Sequence, residues 1–257
     1  MDRLRWLWSV VCCAVRVDLS FRGSWLLNVV SRLSQFAISV LFFGLIYGER
    51  TEIGGVSWHD MMVVLGAFQS VIALSDMLTG GVRDISSKVE DGSLDYDLLK
   101  PIGARLVVSV GRVQITRLFE VFTGIVVAAT GARSLSSPVD WAAFGLLVCV
   151  GAWIKYCLSF MLHCSAFWFI ETYGLYGLFD QVFDLARYPM AVFRGLTRIL
   201  FVYVLPVAIV ANTPAVALLG RPFGDLLVLA LAHATAWYAL GSFLWTKAIC
   251  RYTGASA

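Results

Sequence analysis

Residues 88–106 read KVEDGSLDYDLLKPIGARL and form the most polar long segment of a chain that is otherwise strongly apolar. Of the 257 residues, 59% are hydrophobic and only 14% are charged. Soluble globular proteins carry about 25% charged residues. This chain therefore lacks the polar surface that would cover a water-soluble core, and we expect an integral membrane protein. The polar segment then becomes a connection between two membrane-spanning helices.

The charge balance gives no reason to expect a nucleic-acid partner. The 20 Lys and Arg residues oppose 17 Asp and Glu residues, which leaves a formal net charge of only +3. The six cysteines lie in apolar or juxtamembrane segments without paired spacing. We interpret them as small buried hydrophobic residues rather than as disulfide partners.

Several apolar runs approach the length of about 20 residues that a helix needs to cross a bilayer. These runs are Trp25–Tyr47, Asp60–Leu78, Arg112–Thr130, Trp141–His163 and Phe223–Ala248. The region 164–221 must supply one more crossing, because the basic segments DRLR and KAICRY at the two ends both indicate the cytoplasmic side. We predict an all-α integral membrane protein in which residues 1–257 form one domain with six transmembrane helices and cytoplasmic N and C termini.

Residues 1–22 are amphipathic rather than uniformly apolar. Polar residues recur there at steps of three and four, which places them on one helical face. We predict an interfacial helix with Trp6 and Trp8 at headgroup depth. An ordinary helix packed on the protein itself is the alternative.

The cytoplasmic segment 80–105 carries the start and stop signals of two short helices. The first, Asp84–Glu90, ends at Gly92, because glycine tolerates the left-handed conformation that follows many helices. Ser93 can cap the second helix, and Pro101 ends it. We call this segment the elbow.

The second helix of the elbow presents apolar and acidic side chains together. Leu94, Leu98 and Leu99 form an apolar ridge that Asp95 and Asp97 flank. A short helix of this kind can dock in a groove of a soluble partner. A plain connecting loop, polar only because it lies in water, is the alternative.

Ionisable residues inside predicted spans are costly in hydrocarbon and indicate either function or internal pairing. Arg117 and Glu120 are three residues apart on one helical face, where they can pair. Asp180, Asp184 and Arg187 also share a face. We interpret these five residues as a polar translocation path or a seam between subunits, with neutralisation between neighbouring helices as the alternative. Further ionisable residues in predicted spans include Asp76, Lys155 and Glu171.

These motifs together resemble one family of membrane proteins. DGSLDYDLLKPIGARL resembles the pattern G-x-L-x-x-x-L-x-(Lys/Arg)-P that follows the second crossing in permease subunits of type-2 ABC exporters. LARYPMAVFRGLTRILFVYVLPVAIVANTPA is similar to that family's series of tyrosine-proline, proline and asparagine-x-proline before the last helix. Here the series consists of Tyr188, Pro189, Pro206, Asn212 and Pro214.

The resemblance implies specific roles for the elbow and for the region before the last helix. The elbow becomes a coupling helix that receives force from an ATPase, through Glu90, Asp91, Gly92, Leu94, Leu98 and Pro101. The fifth crossing becomes about Ala166–Arg187, and residues 190–219 enter the outer leaflet and return as two short helices that prolines can break. A competing topology keeps residues 171–198 cytoplasmic and crosses the membrane with Ile199–Leu218.

The resemblance also implies a function without catalysis in this chain. The sequence contains no G-x-x-x-x-G-K-[ST] phosphate loop, so ATP and Mg are expected on a partner ABC ATPase present in two copies. A second permease, identical or related, is expected to share the substrate path in the inner membrane of a bacterial cell, with no cofactor or metal in this chain. An ion-coupled carrier that uses Glu120, Asp180 and Asp184 as proton sites, and a membrane scaffold that transports nothing, are the alternatives.

Overall fold

The computed structural model describes residues 22–48, 52–53, 55–100, 102–132, 137–169 and 173–252, together with 5, 9–10, 12–13 and 16. The interfacial helix predicted for residues 1–22 and the helix stop at Pro101 therefore fall mostly or wholly outside the described residues. The helices are α1 (Arg22–Tyr47), α2 (Trp58–Thr79), α3 (Ile85–Glu90), α4 (Leu94–Leu98), α5 (Ala104–Val110), α6 (Arg117–Gly131), α7 (Pro138–Cys164), α8 (Tyr173–Asp184), α9 (Leu196–Ile199), α10 (Val207–Leu218) and α11 (Gly224–Arg251).

Shorter elements join these helices. A small antiparallel hairpin, β1 (Glu52–Ile53) with β2 (Val56–Ser57), lies between α1 and α2. Single 3₁₀ turns occur at Val82–Asp84, Ser165–Phe167, Leu185–Arg187 and Met190–Val192, and a π turn at Leu200–Val204. The chain is thus almost entirely helical where the structure describes it, as the sequence predicts.

Within the described residues, four helices are long and apolar enough to cross a membrane, namely α1, α2, α7 and α11. A fifth candidate is the bent pair Leu196–Val204 and Val207–Leu218, which meet at 81°. The third and fifth predicted crossings correspond to α6, which has 15 residues, and α8, which has 12. Both helices are shorter than the about 20 residues that a straight membrane-spanning helix needs. The structure therefore supports a multi-pass membrane protein with four or five candidate spans.

Local sequence signals explain where the long helices begin. Ser57 caps α2, and its side-chain oxygen accepts a hydrogen bond from the backbone N–H of Asp60 at 3.2 Å. At the start of α7, Ser137 and Asp140 form a reciprocal capping box, and Pro138 occupies the first turn. Proline suits that position because its missing N–H would have no partner inside the helix.

Helix α2 lies at the centre of the fold, between α6, α7 and α10. In the apolar stretch of 18 residues within each helix, 67% of α2 and 61% of α7 is buried. The corresponding shares are 11% for α1 and 17% for α11. Close approach to α6 depends on Gly124, because a Cβ there would collide with the Ser70 side chain and with the Gly66 backbone. The outer helices α1 and α11 thus leave most of their apolar surface to lipid or to another protein chain.

A proline and a glycine set the contact between α10 and α7. Pro214 lies inside α10 and has no backbone N–H, so the carbonyl of Val210 loses its helical donor. Gly151 of α7 lies against that carbonyl, and a Cβ on Gly151 would lie only 2.5 Å from the oxygen. The absence of a side chain at Gly151 therefore lets α7 pack directly on the interrupted turn of α10.

Candidate functional site

A cavity of about 530 Å³ opens between α1, α2, α6, α7 and α8. One part of its lining is apolar and includes Phe36, Leu65, Phe68 and Phe183. The rest is polar and mostly ionisable, and we call the whole space the charged cavity. Its ionisable lining residues are Arg32, Asp76, Arg83, Arg117, Glu120, Lys155, Asp180, Asp184 and Arg187.

Asp76, in the last turns of α2, is the centre of the charged lining. Its Oδ1 accepts hydrogen bonds from Lys155 Nζ at 2.8 Å and from Arg83 Nη2 at 3.2 Å. Its Oδ2 lies 3.4 Å from Arg117 Nη2. Asp76, Lys155 and Arg117 are all buried. A buried carboxylate of this kind is tolerated because three cations from separate elements surround it.

Glu120 forms a second centre one turn along α6 from Arg117. Arg117 Nη1 donates to both carboxylate oxygens of Glu120 at 3.2 Å, and Arg32 Nε lies 3.5 Å from Oε1. The remaining donor of the Arg117 side chain, Nε, bonds to Gln114 Oε1 at 3.1 Å. Arg117 therefore has a partner for each of its three nitrogens and holds the two acidic centres together.

The three-residue face of α8 and the turn after it also reaches the charged cavity. Asp180 approaches the central cluster, with Oδ2 at 3.6 Å from Arg83 and Oδ1 at 3.7 Å from Lys155. Asp184 and Arg187 pair with each other at 3.0 Å instead. The Arg187 guanidinium also lies over the Phe68 ring. The face predicted from spacing is therefore present, but its members serve two separate ion-pair groups.

Five of the nine ionisable lining residues belong to the predicted path or seam, and two more, Asp76 and Lys155, are predicted only as charges within spans. Arg83 and Arg32 are not among the site residues predicted from the sequence. Arg32 could have been found, because it is a lone cation in the apolar run Trp25–Tyr47. No pattern within one helix could have shown that Arg83 turns back onto Asp76.

The elbow contains the two predicted short helices, with the expected turn between them. Gly92 adopts a left-handed φ of +73°, which a Cβ would disfavour. The capping interaction at the start of the second helix differs from the prediction. Ser93 stands at the start of α4 without a side-chain capping bond, and Asp91 Oδ1 instead accepts a hydrogen bond from the Ser93 N–H at 2.9 Å. Asp91 and the neighbouring Glu90 are both exposed.

The prediction that Leu94 belongs to an exposed apolar ridge on α4 is wrong. Its side chain is fully buried in this chain's own core, in a cluster with Val82, Ile85, Val108 and Trp245. Leu98 is partly buried against the same cluster. The exposed apolar side chains are Tyr96, at 74%, and Leu99, at 81%. The helix turns its first leucine inward because α5 and α11 supply an apolar pocket that the local sequence does not reveal.

Asp97 fastens the two helices of the elbow to each other. Its two carboxylate oxygens accept hydrogen bonds from Lys88 Nζ and Lys100 Nζ, each at 2.7 Å. Burial disfavours the ionised carboxylate, but the bonds from Lys100 and Lys88 outweigh that effect and lower the pKa of Asp97. Lys88 belongs to α3 and Lys100 follows α4, so one buried carboxylate fixes the angle of the elbow.

The proline-rich region folds around Asn212, which is buried in α10. Asn212 Oδ1 accepts a hydrogen bond from the Met190 N–H at 3.0 Å. Its Nδ2 donates to the carbonyls of Ala186 and Tyr188 at 3.4 and 3.3 Å. The Tyr188–Pro189 pair is thereby held against α10, while the Tyr188 ring meets Phe43 edge-on at 5.5 Å.

The two remaining prolines of the series lie at the start of α10 and inside it. Pro206 stands immediately before α10, at the bend between the π turn and that helix. Pro214 follows Asn212 by two residues in α10 and is the residue that leaves the Val210 carbonyl without its helical donor. The bonds of Asn212 thus hold Tyr188 and Pro189 against the helix that contains Pro214, although the series is spread over 27 positions of the chain.

Comparison with known proteins gives a family. Residues 33–256 match the family model described as ABC-2 family transporter protein. That range covers most of the 257 residues and contains the elbow, the proline-rich region and every ionisable lining residue of the charged cavity except Arg32. No curated protein and no solved structure matches the chain.

Proposed function

The chain belongs to the ABC-2 family of transporter proteins, and we propose that it is the permease subunit of an ATP-driven exporter in a bacterial cell membrane. In this arrangement two permease chains, identical or related, enclose the substrate path. Two ATPase subunits at the cytoplasmic face bind ATP with Mg, and both termini of the permease lie on that side. The charged cavity belongs to the path, and the elbow receives the ATPase.

The observation that carries this proposal is the ionic connection between the elbow and the charged cavity. Arg83 lies in the turn Val82–Asp84 that leads from α2 into α3. Its guanidinium contacts Asp76 of α2 at 3.2 Å and Asp180 of α8 at 3.6 Å. Movement of the elbow therefore displaces a cation that two walls of the cavity share. ATP binding can favour one arrangement only if the ATPase binds the two elbow positions with different affinity.

We place the proposed contact with the ATPase on exposed residues of the elbow rather than on Leu94. Tyr96 and Leu99 project from α4 and its end, beside the exposed Lys100. Aromatic residues are frequent anchors of protein interfaces, and truncating a central anchor costs about 2 kcal/mol or more. Loss of both side chains should weaken the complex by at least about tenfold, since 1.4 kcal/mol is a factor of ten.

The test is co-purification with an ABC ATPase whose gene is adjacent to the gene for this chain. The variant Tyr96→Ala with Leu99→Ala should lose ATPase binding and the stimulation of ATP hydrolysis by the permease. Tyr203→Ala with Leu196→Ala is the matched control, because those side chains are 60% and 81% exposed and lie outside the elbow. The proposal fails if the elbow variant binds and stimulates the ATPase as the wild type does.

A second arm separates this proposal from an ion-coupled carrier. The isolated chain should bind no ATP analogue at micromolar concentration, because it has no phosphate loop. In proteoliposomes that contain both subunits, transport should require ATP and persist without a pH gradient. Saturable nucleotide binding by the isolated chain, or transport driven by a pH gradient alone, contradicts the proposed function.

A further inference from the structure

The charged cavity has the dimensions and the mixed apolar and charged lining of an amphiphile-binding site. Its volume of about 530 Å³ falls in the range of about 300–1,000 Å³ that small-molecule sites occupy. Phe36, Ile38, Leu65 and Ile72 supply apolar surface, and the ionisable residues supply charged surface. A ligand that contacts both kinds of surface has a hydrocarbon part and a charged group.

The sign of the ligand's charge follows from the charges of the lining residues that contact one another. Ion pairs join seven of the ionisable lining residues into one connected cluster, while Asp184 and Arg187 form a separate, balanced pair. The cluster has four cations against three carboxylates, so one positive charge is in excess. In surroundings of low dielectric, such an excess attracts an anion more strongly than it would in water. The four cations are Arg32, Arg83, Arg117 and Lys155, and the three carboxylates are Asp76, Glu120 and Asp180.

Arg32 is the cation that is most available to a ligand. Its side chain is 41% exposed, and its Nε lies 3.5 Å from Glu120. Among the described residues, its one ion pair is with Glu120 and no hydrogen bond engages its side chain, whereas Arg117 is 2% exposed and uses every nitrogen. The planar end of an arginine fits carboxylate and phosphate groups with two parallel hydrogen bonds.

The position of Arg32 supports the same conclusion. It is the tenth residue of the candidate span Gly23–Tyr47, most of which is exposed. A charged side chain at such a position is costly in lipid and usually has a partner or a function. Glu120 offers Arg32 only partial compensation, because both of its oxygens also accept from Arg117.

We propose that the charged cavity binds the anionic group, a phosphate or carboxylate, of an amphiphilic molecule, and that Arg32 is the residue that holds it. The role of this molecule as the exported substrate rests on the proposed function. Its binding to the chain does not, and can be measured without an ATPase.

Native mass spectrometry of the detergent-solubilised chain tests the proposal with dodecyl phosphate as the probe. Dodecyl phosphate should bind saturably, and dodecyltrimethylammonium, with the same hydrocarbon part and the opposite charge, should not. Arg32→Gln should weaken the binding of dodecyl phosphate at least about tenfold, the effect of losing a charge-assisted contact. Arg198→Gln is the control, because Arg198 is exposed and does not line the cavity.

A second variant distinguishes loss of the anion site from misfolding caused by Arg32→Gln. Gln35 is exposed, lines the cavity and lies one turn from Arg32 on α1. Gln35→Glu adds a carboxylate that can pair with Arg32 and cancels the excess charge, so it should also weaken dodecyl phosphate binding about tenfold while the fold is kept. The proposal is overturned if both variants bind dodecyl phosphate as the wild type does, or if dodecyltrimethylammonium binds equally well.

Competition identifies the source of the anion. If phosphatidylglycerol displaces dodecyl phosphate, the site takes a lipid phosphate, and if only dodecanoate displaces it, the site takes a free amphiphilic acid. Both results support an anion site. Binding with no ATPase coupling would refute the proposed function alone, and ATPase coupling with no anion binding would refute this inference alone.

Discussion

Arg83 and Asp76 lie on either side of the end of α2, and Arg83 Nη2 approaches Asp76 Oδ1 to 3.2 Å. Asp76 belongs to the buried central helix, and Arg83 belongs to the first turn of the elbow. The side chain of Arg83 is 37% exposed, so the pair itself stabilises the fold only modestly. Its importance is positional, because it places one cation between the elbow and the wall of the charged cavity.

Asp76→Asn should destabilise the folded chain strongly. The change leaves Lys155 and Arg117 buried without their shared carboxylate, and removal of one partner from a buried ion pair typically costs about 3–5 kcal/mol. Thermal unfolding in detergent measures the effect. Asp184→Asn is the matched control, since that carboxylate is 57% exposed, and it should retain stability while transport is impaired.

The double variant Asp76→Asn with Lys155→Gln should recover part of the lost stability, because one uncompensated cation is removed. A melting temperature for Asp76→Asn equal to that of the wild type would contradict the assignment of Asp76 as the central carboxylate. Wild-type transport by Asp184→Asn would remove that residue from the path.

Leu94→Ala should act on stability rather than on ATPase binding alone. The side chain is fully buried, and truncation of a buried leucine costs about 2–5 kcal/mol. Leu99→Ala removes the same atoms from an exposed position of the same segment and should change stability by less than about 0.5 kcal/mol. Equal unfolding temperatures for the two variants would show that Leu94 is not part of the core.

Asn212→Ala should loosen the attachment of residues 186–190 to α10. The change removes the acceptor of the Met190 N–H and the donor to two carbonyls, and an unsatisfied buried polar group costs about 1–3 kcal/mol. Asn28→Ala on the exposed face of α1 is the control and should unfold like the wild type. Hydrogen exchange of residues 186–192 reports the effect locally, and unchanged protection there would count against it.

The elbow should depend on pH through Asp97. Its pKa is lowered in the folded state by Lys100 and Lys88 acting against burial. The stabilisation is therefore present above the unfolded-state pKa of about 3.9 and is lost as the pH falls through the lower folded-state pKa. At pH 7, Asp97→Asn should increase hydrogen exchange across residues 88–100, whereas Glu90→Gln, at an exposed position, should not.

As the pH is lowered below about 4, the wild type should approach the exchange of Asp97→Asn, because protonation removes the same charge. An Asp97→Asn elbow that is as protected as the wild type at pH 7 would show that the two lysine contacts do not fix the elbow.

Gly151→Ala should push α7 away from α10. The added methyl group would lie 2.5 Å from the Val210 carbonyl oxygen, and overpacking of this kind costs about 1–3 kcal/mol. Gly145→Ala on the same helix has no atom within 4 Å of the added group and should be neutral or slightly stabilising, since alanine favours a helix. A lower unfolding temperature for Gly145→Ala than for Gly151→Ala would refute this account of the contact.

The sequence by itself determined the class of protein, the main apolar helices and the features that depend on a few neighbouring residues. Composition predicts a membrane protein because apolar surface and charge are properties of the chain as a whole. The left-handed turn at Gly92 and the pairing of Arg117 with Glu120 follow from backbone conformation and from helical spacing, and the structure contains both.

Only the tertiary structure decided which faces meet. Leu94 is buried because Val108 and Trp245 reach it from other helices, Asp76 gathers Lys155 and Arg83 from two other elements, and Asn212 bonds residues more than twenty positions away. Helical periodicity states which side chains share a face, but not which helix covers that face. That choice depends on how closely backbones can approach, which in this chain is set by contacts such as the one between Gly151 and the Val210 carbonyl.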